Sequence, residues 1–172
     1  GFAAMPLQSG YEKARDIIGL ANVSSLQSYL GSTAVVKDHY MFSAFGNKIV
    51  CYNLTDLKVV WSYEVPGDAL KSGGRLCTAP IIAGVCVITA TTDGNILVLD
   101  QYHGDLRTSY DLKTEIRNQP IAVKGYLFVP TADGKLVSIN TKTSSIDGWP
   151  MFMKNNSHNT SMLSLSPSIP DL

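Results

Sequence analysis

The sequence predicts an all-β chain, a partial ring of about three four-stranded antiparallel β-propeller blades flanked by two non-blade ends. Three observations predict it. One pattern recurs three times, marked by Asn53, Asp100 and Asn140 at spacings of 47 and then 40 residues. Each unit is made of runs rich in Val, Ile, Tyr, Phe and Thr, the residue types that suit a pleated, half-buried surface. Within each unit a Gly-Asn or Asp-Gly dipeptide separates two such runs, where a hairpin needs a residue that tolerates positive φ. Four strands every 40 to 47 residues match a propeller blade, and a sandwich does not ordinarily repeat its sequence in register.

The elements follow in order. Residues 1–32 carry no blade pattern. Ser9-Gly10-Tyr11-Glu12 resembles a capping box, and Ala14, Ile17, Ile18 and Ala21 fit one helical face, although Gly10 and Gly19 weaken a helix. A short helix and an irregular segment donating one strand both remain open. Residues 33–152 hold the three blades. The first runs from Thr33 through Tyr40–Phe45, a Gly46-Asn47 turn and Lys48–Asn53 to Val59–Val65. The second comprises Ala79–Ala83, Val85–Thr91, an Asp93-Gly94 turn, Asn95–Asp100 and Leu106–Leu112. The third comprises Gln119–Val123, Tyr126–Thr131, an Asp133-Gly134 turn and Lys135–Asn140. Two-residue hairpins of type I′ are the expected form of the Asp-Gly turns. Residues 153–172, with Pro167 and Pro170, read as an extended tail.

Composition narrows the function classes. The chain has 172 residues, with 14 Lys+Arg against 14 Asp+Glu and only 16% charged residues. That balance offers no electrostatic reason to bind nucleic acid or an anionic membrane. The longest apolar stretch, Ala79 to Ala90, is interrupted by Gly84 and falls short of the ~20 residues a membrane helix needs, so no membrane insertion is expected. The sequence shows no basic start followed by an apolar run, so no signal peptide is expected within these residues. Cys51, Cys77 and Cys86 lack CxxC spacing, which argues against zinc. They read as three buried strand residues, or as one disulfide with one thiol left over.

The pattern Asp-Gly-x-Leu-x-x-Leu-(Asp/Asn), followed by a turn and an aromatic strand, resembles the repeat of PQQ-like (quinoprotein-type) β-propellers. In that family a tryptophan closes the last strand of the repeat and packs on the next blade. Trp61 matches it, eight residues after Asn53, whereas the same count reaches Thr108 and Gly148 in the other units. The segment Asp147-Gly148-Trp149-Pro150-Met151-Phe152 is similar to a Gly-Trp-Pro-Met-Phe segment at chain ends in such propellers. The resemblance implies an aromatic plug that closes the ring and buries Trp149 and Phe152 behind a rigid Pro150. The chain therefore reads as the last three blades of a propeller, with Trp61, Asp93, Gly94, Asp133, Gly134, Trp149, Pro150 and Phe152 as its structural and blade-docking residues.

No catalytic, cofactor-binding or metal-ligating residue is expected. Quinone-dependent catalysis in the family relies on an adjacent Cys-Cys pair and an acidic calcium site, and the sequence has neither. Asp93 and Asp133 are accounted for by turn chemistry, and His39, His103 and His158 have no ligand spacing. Neither a phosphate loop nor a nucleophile elbow is visible. Asn22, Asn53, Asn155 and Asn159 fit the glycosylation pattern, which matters only in a secreted eukaryotic protein.

The expected function is that of a non-catalytic scaffold or interaction subunit of an extracytoplasmic complex. Its partner would be another chain, or the upstream part of the same precursor, on the exposed blade flanks, with no cofactor. The alternatives are a fragment of a quinoprotein-type or carbohydrate-active propeller enzyme whose site lies on other blades, and a ligand-sensing receptor domain.

Overall fold

The computed structural model describes residues 34–67 and 76–149. The N-terminal segment 1–32, the tail 153–172, His158, Pro150 and Phe152 lie outside them. Among the described residues eleven strands, all antiparallel in their pairings, form three separate sheets.

The first sheet is β1 (Val35–Lys37), β2 (Tyr40–Phe45), β3 (Lys48–Asn53) and β4 (Val59–Glu64), in that order. The second repeats it with β5 (Ile81–Ala83), β6 (Cys86–Ala90), β7 (Asn95–Asp100) and β8 (Leu106–Asp111). The third has β9 (Ile121–Val123), β10 (Tyr126–Pro130) and β11 (Leu136–Asn140). Sequential order in space means that every strand is a hairpin neighbour of the next, the simplest way to satisfy backbone groups locally. This is an unclosed propeller segment whose blades are the repeat units. Among the described residues the third blade has three strands rather than the expected four. Residues at the position of a fourth strand leave the sheet instead, and Trp149 bridges to Ala122 on the far edge of β9.

The hairpins also differ from the two-residue form read from Asp-Gly. Gly94 and Gly134 have φ of +106° and +81°, while neither aspartate is in the left-handed region. Each loop is longer by one residue and closed by a threonine. Thr91 N–H donates to the Asn95 carbonyl at 2.7 Å, and Thr131 N–H to the Lys135 carbonyl at 2.9 Å. Thr91 Oγ1 and Thr131 Oγ1 donate to Asp93 and Asp133. A three-residue loop needs left-handed geometry once, at the glycine. The two-residue loop with positive φ at both positions is Lys124-Gly125 instead, at +46° and +81°.

The core lies between the sheets. Val35, Phe42, Cys51 and Trp61 occupy paired positions on one face of blade 1, all buried. Blade 2 is buried on both faces: Ile81, Ile88 and Val98 on one, Val87, Leu97 and Leu99 on the other. Its first three strands therefore read as near-continuous hydrophobic runs, as a doubly covered strand must. Blade 3 buries Leu127 and Val129 but leaves Tyr126, Phe128 and Leu136 on its other face. Cys51, Cys77 and Cys86 are buried thiols not joined by a disulfide. Burial pushes the Cys51 thiol up to about 12.

Candidate functional site

Two features bear on function: the junctions that lock blades together, and the flank of blade 3 that no described blade covers.

The junction of blades 1 and 2 is built around Trp61. The side chain stands on β4, with Phe42 against it at 5.9 Å between ring centroids. Its indole Nε1 donates to the Gln101 carbonyl at 3.0 Å, so the buried polar atom is satisfied across the blade boundary. Gly104 lies against the ring face, where a Cβ would come within 2.5 Å of it. The receiving turn, Gln101–Gly104, is shaped by Asp100. The Asp100 carboxylate accepts the N–H groups of Tyr102 and His103, each at 2.8 Å, and pairs with Arg107. Asn53 and Asn140 cap their own turns in the same way, accepting from Thr55 at 2.8 Å and from Lys142 at 2.9 Å. A side-chain oxygen two residues before a turn amide is the shared requirement, which Asp and Asn both meet. Lys37 adds a second link, donating to the Gly84 carbonyl at 2.6 Å and to Gln101 Oε1 at 2.8 Å.

Blades 2 and 3 meet differently. Thr108, the residue in register with Trp61, is exposed on β8. Its docking role passes to the chain after β11. Gly84 N–H donates to the Asp147 carbonyl at 3.1 Å, Gly125 N–H to Ile146 at 2.8 Å, and Ala122 and Trp149 exchange both backbone bonds. Asp147 Oδ1 accepts from Lys124 and Gly148, which pins the corner. Trp149 is fully buried. Gln119 Nε2 ties the entry of β9 to the carbonyls of Ala79 and Pro80 at 3.3 and 3.1 Å. Asp93 and Asp133 sit at exposed hairpin corners. Lys135 and Thr131 hold the Asp133 carboxyl down at about 2.

Burial opposes ionisation of Asp100, but His103 N–H, the Arg107 guanidinium, Tyr102 N–H and the His103 ring outweigh it and hold the carboxyl at about 2. A carboxyl depressed in the folded state stabilises above its unfolded value of 3.8, and the contribution is lost as pH falls towards 2. Its magnitude is on the order of 1–2 kcal/mol after allowing for solvent screening. Thermal melts between pH 5 and pH 2 are expected to show this loss. Asp100→Asn, which keeps the cap as Asn53 and Asn140 do, should remove that part of the slope.

Sequence reasoning missed Gln101, Gly104, Lys37 and Arg107. Gly104 alone left a trace, as a turn glycine after Asp100, with nothing in the sequence to show what it packs against. The Thr-x-Asp-Gly spacing shared by Thr91 and Thr131 was a second legible signal. No group of His, Cys, Asp and Glu among the described residues is arranged to hold a metal. No helix among them is long and apolar enough to cross a membrane.

Consecutive four-stranded sheets, docked face to face through a tryptophan and the following blade's turn, define a propeller segment of the PQQ-like repeat class. A family model described as outer membrane protein assembly factor BamB matches residues 14–160, and the chain belongs to that family. Among solved structures it is similar to BamB from Moraxella catarrhalis, at 20% identity and a TM-score of 0.50, over 67% of this chain and 36% of that one. It is also similar to the quinohemoprotein alcohol dehydrogenase ADHIIG from Pseudomonas putida HK5, at 18% identity and a TM-score of 0.55, over 66% of this chain and 19% of that one. The computationally designed Ika8 protein matches at 18% identity and a TM-score of 0.52, over 62% of this chain and 32% of that one. These likenesses show the fold. The chain spans about a third of the length of the BamB it matches. No curated protein matches it.

Proposed function

We propose that this chain is a non-catalytic scaffold that binds protein partners in an extracytoplasmic complex, completing a propeller or assembly through the open flank of blade 3. The observation that carries the reading is that flank. Tyr126 and Leu136 are 42% and 65% exposed, and Phe128 stacks on Tyr126 at 6.4 Å. On the equivalent face of blade 1, which Trp61 joins to blade 2, Val35, Phe42 and Cys51 are all buried. A flank of the same repeat, unburied, has the character of an interaction surface. Membership of a family described as an assembly factor of outer membrane proteins supports a binding role outside the cytoplasm.

Native mass spectrometry of the purified assembly tests this. A complex larger than 18.6 kDa is expected, and Tyr126→Lys combined with Leu136→Lys should disperse it. A wild-type chain that stays a well-dispersed monomer alone and with co-purifying proteins would overturn the reading.

A further inference from the structure

Three aspartates among the described residues are followed directly by glycine: Asp93-Gly94, Asp133-Gly134 and Asp147-Gly148. This dipeptide carries a chemistry of its own. The glycine amide nitrogen can attack the side-chain carboxyl of the preceding aspartate, and no Cβ on the glycine shields it. How closely the fold holds the two groups together governs the rate of such an intramolecular step. The sequence treats the three dipeptides alike, and the fold separates them.

In the two hairpins the reacting groups are engaged by other partners. Gly94 N–H donates to the Thr91 carbonyl at 3.1 Å, and Gly134 N–H to the Thr131 carbonyl at 3.2 Å. The Asp93 carboxylate accepts the Thr91 hydroxyl and, at 3.2 Å, Asn95 Nδ2. The Asp133 carboxylate accepts the Thr131 hydroxyl and pairs with Lys135 at 2.6 Å. Neither glycine N–H is directed at the carboxyl beside it.

At Asp147 the two groups are already together. Gly148 N–H donates to Asp147 Oδ1 at 2.8 Å, and Lys124 N–H donates to the same oxygen at 3.0 Å. The second bond keeps the carboxyl against the Gly148 nitrogen. Asp147 is exposed, so water reaches it. The same residue is a corner between blades. Its carbonyl accepts the Gly84 N–H of blade 2 at 3.1 Å, and two residues on Trp149 exchanges backbone bonds with Ala122 at 2.8 and 3.0 Å.

We infer that Asp147-Gly148 is a site of spontaneous isomerisation to isoaspartate, selected by the fold over the two hairpin dipeptides. The Gly148 nitrogen bonds to Asp147 Cγ, a Cγ–O bond breaks, and the oxygen leaves as water with the amide proton and the carboxyl proton. The product is a five-membered cyclic imide. Water then opens the ring. Cleavage at Cγ restores aspartate. Cleavage at the main-chain carbonyl leaves isoaspartate, whose chain runs through Cγ and whose former main-chain carbonyl is a free carboxylate. One water leaves and one enters, and nothing is oxidised or reduced. Isoaspartate lengthens the main chain by one carbon at the corner and turns the carbonyl that receives Gly84 into a side group. Blade 3 is thereby loosened from blade 2 at Gly84, and Trp149 from Ala122. This inference stands apart from the scaffold reading.

The test ages the full folded chain in warm neutral buffer. Isoaspartate is mapped by tryptic digestion, electron-transfer fragmentation and labelling with protein isoaspartyl methyltransferase. Residues 143–154, 125–135 and 76–107 fall in separate peptides, one for each dipeptide. Isoaspartate at Asp147 is expected to exceed that at Asp93 and at Asp133 by about tenfold or more. A peptide 143–154 lighter by one water should precede it. The chain aged in denaturant should lose the preference, because the dipeptide is common to all three sites. Comparable conversion at the three sites of the folded chain, a preference for either hairpin, or no conversion at Asp147 overturns the proposal. So does a preference that persists unchanged in denaturant, which would place its cause in the local sequence. Asp147→Glu, which would have to close a six-membered ring, should abolish the signal in peptide 143–154, and its persistence counts against the assignment. Amide exchange in the isomerised chain should speed up at Gly84, Ala122 and Trp149 while β4 stays protected. Unchanged exchange there overturns the loosening of the blade contact.

Discussion

Replacing Trp61 by alanine is expected to destabilise the fold by about 3–5 kcal/mol, the range found when a large buried aromatic is truncated. Three losses coincide at this position. The ring leaves a void against Phe42, whose centroid lies 5.9 Å away. The Gln101 carbonyl loses the indole donor at 3.0 Å. The Gly104 backbone loses the surface it is shaped to meet. Trp61→Phe keeps most of the apolar contact but not the hydrogen bond, and should cost roughly 1–2 kcal/mol. The cost should fall on the junction, so hydrogen exchange is expected to speed up in β4 and the Gln101–Gly104 turn before it does in β6 and β7. Chemical denaturation of the two variants checks the magnitudes. Equal stability of wild type and Trp61→Ala would show that the blades do not rely on this contact.

The second large effect is expected at Gly84. A Cβ there would lie 2.1 Å from the Ser145 carbonyl oxygen, a backbone atom that cannot swing aside, and the residue sits at φ +61°. Left-handed geometry alone costs an alanine about 1–2 kcal/mol, and overpacking adds about 1–3 kcal/mol. Gly84→Ala should therefore cost about 2–5 kcal/mol. Gly46→Ala is the control, since φ is +55° there and nothing lies within 4 Å of the added carbon. It bears the backbone strain without the clash, and the difference between the two melting temperatures isolates the contact with blade 3.

The amino-acid pattern made much of the fold legible. Strand runs, turns and blade order could be read because each sheet is a meander, in which every pairing joins neighbours along the chain. In blade 2 the apolar third strand Asn95–Asp100 is almost wholly buried, while the outer strand Leu106–Asp111 is mostly exposed. The dipeptide alone did not give the hairpin type, because Asp-Gly suits both loop lengths; the threonine two residues before each aspartate, Thr91 and Thr131, decides between them. The candidate surface was legible only in kind. An exposed flank follows from counting blades, but its location on Tyr126, Phe128 and Leu136 depends on which face of blade 3 meets blade 2.

The sequence by itself determined that this protein is built from propeller blades, since blade identity rests on local periodicity and short turns. Tertiary structure alone decided how the blades are held. Gln101 and Gly104 receive Trp61 from 40 or more positions away, and the sheet geometry that brings them together has no local signature. It also decided the fate of the third blade. The repeat count would place a fourth strand near Ile146–Trp149, but bonds from Gly84, Gly125 and Ala122 hold that segment at the inner edge. The flank of blade 3 that stays exposed, with Tyr126 and Leu136, is set by those contacts made across two blades.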